Sequence, residues 1–246
     1  MSAIQTYLSN IHRILERVET TQTEAMEKAA RAMADATLSG HNIFAFGCSH
    51  AGLLAFELYY RTGGMATINP VRAPGLYLDV DPAPFTSQIE RLPEYGRLIC
   101  DQKPIGPGDT IIVHSVSGRN TVTVDFALRC KEKGATVIAL TSVATGKEIP
   151  SRHPSGKLLM DVADIVIDNC GCVGDGSVEV PGVPEKVGPT STAVGAAILT
   201  AVMTRAVELI TEAGGTAPVF ISANVPGGDE HNRIMLETYK EHIFYI

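Results

Sequence analysis

The sequence lacks the marks of several protein classes. No run of Lys or Arg occurs in its 246 residues, and 20 basic side chains face 27 acidic ones for a formal charge of −7. A track for a phosphate backbone is therefore missing, and no nucleic-acid partner is expected. The first 40 residues have no basic recognition-helix composition, which argues against a DNA-binding regulator. The five cysteines, Cys48, Cys100, Cys130, Cys170 and Cys172, are odd in number and scattered. They fit neither a disulfide framework nor a paired zinc site, and reduced thiols are the simple expectation. Met1 to Asn10 is not a basic-then-apolar leader, and no apolar run reaches the roughly 18 residues that span a bilayer. A soluble cytoplasmic protein with no membrane partner is the expectation. The G-x-G-x-x-G fingerprint of a dinucleotide site is also absent around Gly47, so no cofactor is expected.

Only 19% of the residues are charged, whereas 45% are hydrophobic, enough apolar side chain for a large core. An acidic protein that binds a small anion must neutralise it locally, with backbone N–H groups, hydroxyls and an Arg or Lys.

The periodicity predicts an α/β fold. Ile4, Tyr7, Leu8, Ile11, Ile14, Leu15 and Val18 fall on one face of an N-terminal helix, and a second helix is predicted from Thr23 to Leu38, stopped by Gly40. A strand at Asn42–Phe46 passes through Gly47-Cys48-Ser49-His50 into a helix ending near Gly63-Gly64. A strand at Ala66–Val71, a short helix around Ser87–Cys100 and a strand at Thr110–His114 follow. Ser115 to Asn120 then opens a helix closed by Gly134, with further strands at Thr136–Thr141 and Asp164–Asp168. Such alternation implies a doubly wound, mainly parallel sheet with its ligands at the carboxyl ends of the strands. Cys170 to Pro189 is Gly- and Pro-rich and too long for plain linkage, so it reads as a functional loop. Thr190-Ser191-Thr192 starts a long apolar helix to about Ala213, and a polar loop at Asn224–Asn232 precedes a last helix. The expected organisation is a single domain over 1–246, with N-terminal helices at 1–40, the core at 41–215 and a C-terminal loop and helix at 216–246.

A phosphate monoester carries about two negative charges and is held where hydroxyls and free N–H groups at helix starts converge. Three junctions carry hydroxyls: Ser49, Ser115 with Ser117, and Ser191 with Thr192. Each serine alone reads equally as a helix cap; the three together favour a ligand. Gly118 admits close backbone approach, and Arg119 adds charge or is a solvated surface residue. Proton transfer next to a carbonyl needs a base for the α proton and an acid for the oxygens. Glu57, eight residues after Ser49, is the candidate base, with a surface ion pair as the alternative. His231, flanked by Asp229 and Glu230, is the candidate acid, and Glu230 joins it in the candidate catalytic set; the alternative has Asp229 and Glu230 serving only the last helix start. His50 is a further candidate. Cys170-Gly-Cys172 with Asp168 and Asp175 is a weak metal pattern, and His50, Glu57 and His231 form a zinc site only if they converge, so no metal is expected.

Asp109-Thr-Ile-Ile-Val-His-Ser-Val-Ser-Gly-Arg-Asn120 resembles the signature of the sugar isomerase (SIS) family, a strand followed by S-x-S-G-x-T. Gly47-Cys48-Ser49 is similar to that family's first phosphate loop, with Ala45 in place of its first Gly, and Gly188-Pro-Thr-Ser-Thr-Ala193 resembles the helix start of the arabinose-5-phosphate isomerase branch. The resemblance spans about residues 1–215 and extends to phosphoheptose isomerases and UPF0309-type SIS proteins. It implies a five-stranded parallel sheet, a sugar phosphate as small-molecule partner, a homodimer or homotetramer, and active sites between subunits. Ser49, Ser115, Ser117, Gly118, Asn120 and Thr192 would surround the phosphate, Asn120 standing where the family has Thr or Ser. Glu57 resembles the catalytic Glu of phosphoheptose isomerases. The implied function is aldose–ketose isomerisation of a sugar phosphate through an enediolate; the alternatives are a sugar-phosphate etherase or lyase, and a non-catalytic phosphosugar-binding regulator.

Overall fold

The N-terminal forty residues hold one helix where the periodicity predicts two. In the computed structural model, which describes residues 1–246, α1 runs unbroken from Ala3 to Leu38. Its start is a capping box between Ser2 and Gln5. The Thr-rich stretch where the two predicted helices meet returns its hydroxyls to the preceding turn: Thr20 donates to the Glu16 carbonyl at 2.9 Å, Thr21 to Arg17 at 2.6 Å and Thr23 to Glu19 at 2.6 Å. With no Gly or Pro there, those bonds satisfy the hydroxyls inside a continuous helix.

Five parallel strands follow in the order β2-β1-β3-β4-β5: β1 Ile43–Gly47, β2 Ile68–Pro70, β3 Thr110–His114, β4 Thr136–Thr141 and β5 Ile165–Asp168. Both faces are buried and side chains alternate between them. Ile43, Ala45, Ile112, Ile138 and Leu140 face α1, α2 (Leu53–Leu58) and α8 (Ser191–Glu212). Phe44, Phe46, Ile111, Val113, Val137 and Ala139 face the opposite layer, which includes α4 (Tyr95–Asp101) and α5 (Thr121–Glu132). The chain leaves β1 toward β2 on one side and returns to β3 on the other, so the crevice between β1 and β3 is the topological switch point. Gly47 pairs with His114, and the loops carrying Ser49 and Ser115 leave the sheet side by side.

Other elements depart from expectation. The helix after the first loop ends at Leu58 rather than near Gly63, because Tyr59 is extended. The helix expected over Ser87–Cys100 is two, α3 (Phe85–Ile89) and α4, divided at Pro93 and at Glu94, whose φ is +65°. The connection from β4 to β5 carries α6 (Val143–Glu148) and α7 (Leu159–Val162), and the loop over 170–189 contains the hairpin β6 (Gly176–Val178) and β7 (Val187–Pro189). Helix α9 (Gly228–Thr238) and the C-terminal tail cover the β2 edge: the Tyr245 hydroxyl donates to the Ala66 carbonyl at 2.7 Å, and Phe244 stacks on Phe44. By composition α8 is long and apolar enough to cross a bilayer, with a mean hydropathy of 1.7, contrary to the sequence expectation; half of that stretch is buried in this fold, as in a core helix.

Candidate functional site

The first loop is built around a close approach. A Cβ on Gly47 would lie 2.6 Å from the Ala51 carbonyl oxygen, so only glycine lets the turn at 49–52 fold back on β1. Ser49 takes a φ of +55°, an uncommon value for a residue with a side chain, and its N–H donates to the Leu76 carbonyl at 2.7 Å. His50 beside it is exposed.

The second loop is held from behind by its carbonyls. Val116 accepts from Ser142 N–H at 2.9 Å, Gly118 from Leu159 N–H at 2.8 Å, and Arg119 from Arg152 N–H at 2.9 Å. The N–H groups of Ser117, Arg119 and Asn120 have no acceptor within the chain, so they remain available to an anion. Gly118 sits at φ +60°, and a Cβ there would press on Leu159 Cβ at 3.1 Å. The Ser115 hydroxyl accepts the Gly118 N–H at 3.2 Å, so it braces the loop.

Between the two loops lies Glu90, which follows α3 directly. Its carboxylate accepts a hydrogen bond from the Asn120 amide, and Ser49 on the first loop favours its charged form. Burial pushes its pKa above the ordinary carboxylate value, opposed by the Asn120 hydrogen bond, by Arg152 and Arg91, and by Ser49. Arg152 Nη1 donates to Asn120 Oδ1 at 2.8 Å. Burial, then the neighbouring charges of Arg119 and Arg91, lower the Arg152 pKa, and Arg119 Nε is buried without a partner. His153 fixes this side: its Nε2 is 3.0 Å from Asp125 Oδ1, with both side chains largely buried, which ties the 149–158 loop to α5. Arg152 and Arg91 act on the Glu90 carboxylate and Arg119 on Arg152, a local excess of positive charge that complements a phosphate.

The third junction is already filled. Asp175 Oδ1 accepts from Thr190 N–H at 3.0 Å, Thr190 Oγ1 at 3.1 Å and Ser191 N–H at 2.8 Å, while Oδ2 accepts from the Ser191 hydroxyl at 2.6 Å. The start of α8 thus binds a carboxylate from its own chain, and the Ser191 hydroxyl is not free for phosphate; Thr192, one residue on, is half-buried. His114 is buried among these loops. Its Nδ1 lies 3.0 Å from the Ala51 carbonyl, its Nε2 has no partner, and burial pulls its pKa down to about 4, so the ring is neutral at pH 7.

The expected catalytic trio is elsewhere. Glu57 is half-exposed and forms an i,i+4 ion pair with Arg61. Glu230 pairs with Arg233 at 2.7 Å on the exposed start of α9. His231 Nε2 contacts the Val219 carbonyl at 3.1 Å, and Val219 bridges Met65, ahead of the first residue of β2 and away from the carboxyl ends. The charged side chains found at the crevice, Glu90 and Arg152, are not singled out by the sequence: Glu90 lies in a stretch that reads only as a short helix, and Arg152 in a segment without periodic pattern. Cys170 is buried and Cys172 exposed; no three His, Cys, Asp or Glu side chains gather as metal ligands.

With the switch-point crevice and its two serine loops in place, comparison with known proteins gives the family. The SIS domain profile matches residues 6–142, more than half of the chain, and the protein belongs to the SIS domain family. A UPF0309 protein of Shouchella clausii is 44% identical over 246 residues, covering 100% of both chains, and one of Oceanobacillus iheyensis is 41% identical over the same span. Among solved structures, a phosphoheptose isomerase from Francisella tularensis superposes with a TM-score of 0.56 at 14% identity, over 83% of this chain and 96% of that one. Phosphoheptose isomerase from Neisseria gonorrhoeae gives 0.51 at 16% identity, over 85% and 97%. At these identities the likeness is one of fold.

Proposed function

We propose that the chain binds a sugar phosphate across the crevice between β1 and β3 and interconverts its aldose and ketose forms, with Glu90 as the base. The observation that carries the reading is the Glu90 carboxylate, half-buried and raised in pKa, set between a phosphate-type loop and Arg91, Arg119 and Arg152. The phosphate sits on the free N–H groups of Ser117, Arg119 and Asn120, with the Arg119 and Arg152 guanidinium groups beside it. Glu90 takes the proton from the carbon next to the carbonyl and returns it to the former carbonyl carbon, through an enediolate, while the hydroxyl proton passes between the two oxygens by way of solvent. The hydrogen bond from Asn120 holds the carboxylate in place. Ser115 braces the loop, and Glu57, Glu230 and His231 take no part in this reading. The phosphoheptose isomerases of like fold support the substrate class.

The same proposal includes a cytoplasmic homo-oligomer. The open face of α8 presents Ala193, Ala197, Thr200, Ala201 and Thr204, beside an apolar groove of about 400 Å3 against Leu15 and Met26 of α1, and such a face supports subunit packing.

Thermal unfolding in the presence of pentose, hexose and heptose phosphates, the free sugars and NAD tests the binding claim, since a ligand stabilises by RT ln(1 + [L]/Kd). A rise in Tm with at least one sugar phosphate and none with its free sugar is expected. A shift with NAD alone overturns it.

A further inference from the structure

A second cationic cavity lies away from the crevice, beside β5 at the edge of the sheet. It has a volume of about 370 Å3 and is walled by α1 on one side and by the loop and hairpin after β5 on the other. Asn10, Arg13 and Arg17 stand at three- and four-residue spacing on one face of α1, opposite Ser177, Lys186 and Cys172. The walls are fixed to each other: the Asn10 amide donates to the Ser177 carbonyl at 2.7 Å and the Tyr7 hydroxyl to the Pro189 carbonyl at 2.8 Å.

The charge is unbalanced. Arg61, Arg97, Arg129, Arg205 and Arg233 each rest on a carboxylate. Arg13 instead donates to the neutral Asn10 side chain, and Arg17 has no acid partner. Lys186 lies 3.4 Å from the exposed Glu179, and no carboxylate lines the cavity. In a chain of charge −7, two uncompensated guanidinium groups facing one small hollow are a local reversal of field. Guanidinium forks match phosphate oxygens in pairs, and the volume suits a small metabolite.

We infer that this cavity is a second anion site, separate from the crevice, for a small organic dianion of the phosphate-monoester class. The inference does not depend on the crevice being catalytic. The site adjoins the segment that carries Asp175, so a ligand here touches the loop that fills the start of α8.

Cys172 reports on the site because it lines the cavity and is the one exposed cysteine. Its alkylation is measured at low ionic strength by mass spectrometry with iodoacetate, an anion, and iodoacetamide, a neutral reagent of the same chemistry, each normalised to a small free thiol. Both react with the same thiolate, so their ratio isolates the local field. The expected normalised ratio is roughly three- to tenfold in favour of iodoacetate. It falls toward one in Arg13→Ala/Arg17→Ala, whose exposed positions leave Tm unchanged. Inorganic phosphate slows labelling in the wild type and not in the double variant. A wild-type ratio near one, a ratio unchanged in the double variant, or labelling indifferent to phosphate overturns the proposal. Each of these outcomes is independent of sugar-phosphate turnover and of variants in the 115–120 loop, so loss of this site is distinguishable from loss of the function proposed above.

Discussion

Removing the Asp175 carboxylate should destabilise the protein by an amount set by its four hydrogen bonds at the start of α8. Asp175→Asn keeps an acceptor and tolerates the φ of +62° found there, but exchanges a charged acceptor for a neutral one. Weakening the three bonds to Oδ1 by about 0.5 kcal/mol each, with about 0.5 kcal/mol from the lost charge–dipole term, gives a loss of roughly 2 kcal/mol, the new amide NH2 donating to the Ser191 hydroxyl in place of the fourth bond. Asp175→Gly suits the backbone and removes the acceptor altogether. Thr190 and Ser191 are 1% and 6% exposed, so their donors then lose a partner in a place water reaches poorly, and a loss of about 4 kcal/mol is expected. At roughly 2–4 °C per kcal/mol for a chain of this size, Tm falls by about 4–8 °C for Asn and about twice that for Gly. Urea unfolding at pH 7, by circular dichroism, supplies the free energies. Inorganic phosphate should recover more stability in Asp175→Gly than in the wild type, because the vacated helix start then accepts an external anion. An Asp175→Gly variant within 1 kcal/mol of the wild type, with no differential phosphate effect, would refute the reasoning.

Further outcomes follow from the same geometry. His114 is held neutral with a folded pKa of about 4 against 6.5 for the free ring, so the unfolded chain binds its proton first as pH falls. Stability is complete above pH 6.5 and declines by up to about 3 kcal/mol toward pH 4, a slope that urea titrations should find missing in His114→Gln. Glu90→Gln should retain sugar-phosphate affinity and lose about 10²–10⁴ in turnover. The acid limb of kcat/KM in the wild type should lie above 4.5, the ordinary carboxylate value, because burial raises this group. Arg152→Ala should weaken a sugar phosphate about 10- to 100-fold in calorimetry while leaving the free sugar unaffected. Gly118→Ala puts a side chain at φ +60° against Leu159 and should cost about 1–3 kcal/mol along with phosphate affinity.

The alternation of apolar runs with helical stretches was enough to read the parallel sheet, since the strands from β1 to β4 are buried on both faces and bounded by Gly or polar turns. It also located the two loops, because Ser49 and Ser115 follow strands that the fold sets side by side. What it missed depends on tertiary placement. From the sequence Glu57 reads as a candidate base or a surface ion pair; α2 turns it outward to Arg61, while Leu54, Ala55 and Leu58 take the core. Glu90 reaches the crevice only because α3 and α4 break at Pro93–Glu94, and Arg152 only because His153 ties its loop to α5. Gly174-Asp175-Gly176 carried a signal, an acidic residue in a tight turn before a hydroxyl-rich helix start, but sequence spacing could not show that the carboxylate meets the helix 15 residues later.

The most direct measurement is a crystal structure of Glu90→Gln grown with whichever sugar phosphate raises its Tm. The account predicts the phosphate on the N–H groups at 117–120 with Arg119 and Arg152 against it, and the carbon bearing the transferred proton within about 3.5 Å of the residue 90 side chain. Phosphate bound at the start of α8 with Asp175 displaced, or a sugar whose reactive carbons face Glu57 or His231 instead, would contradict it.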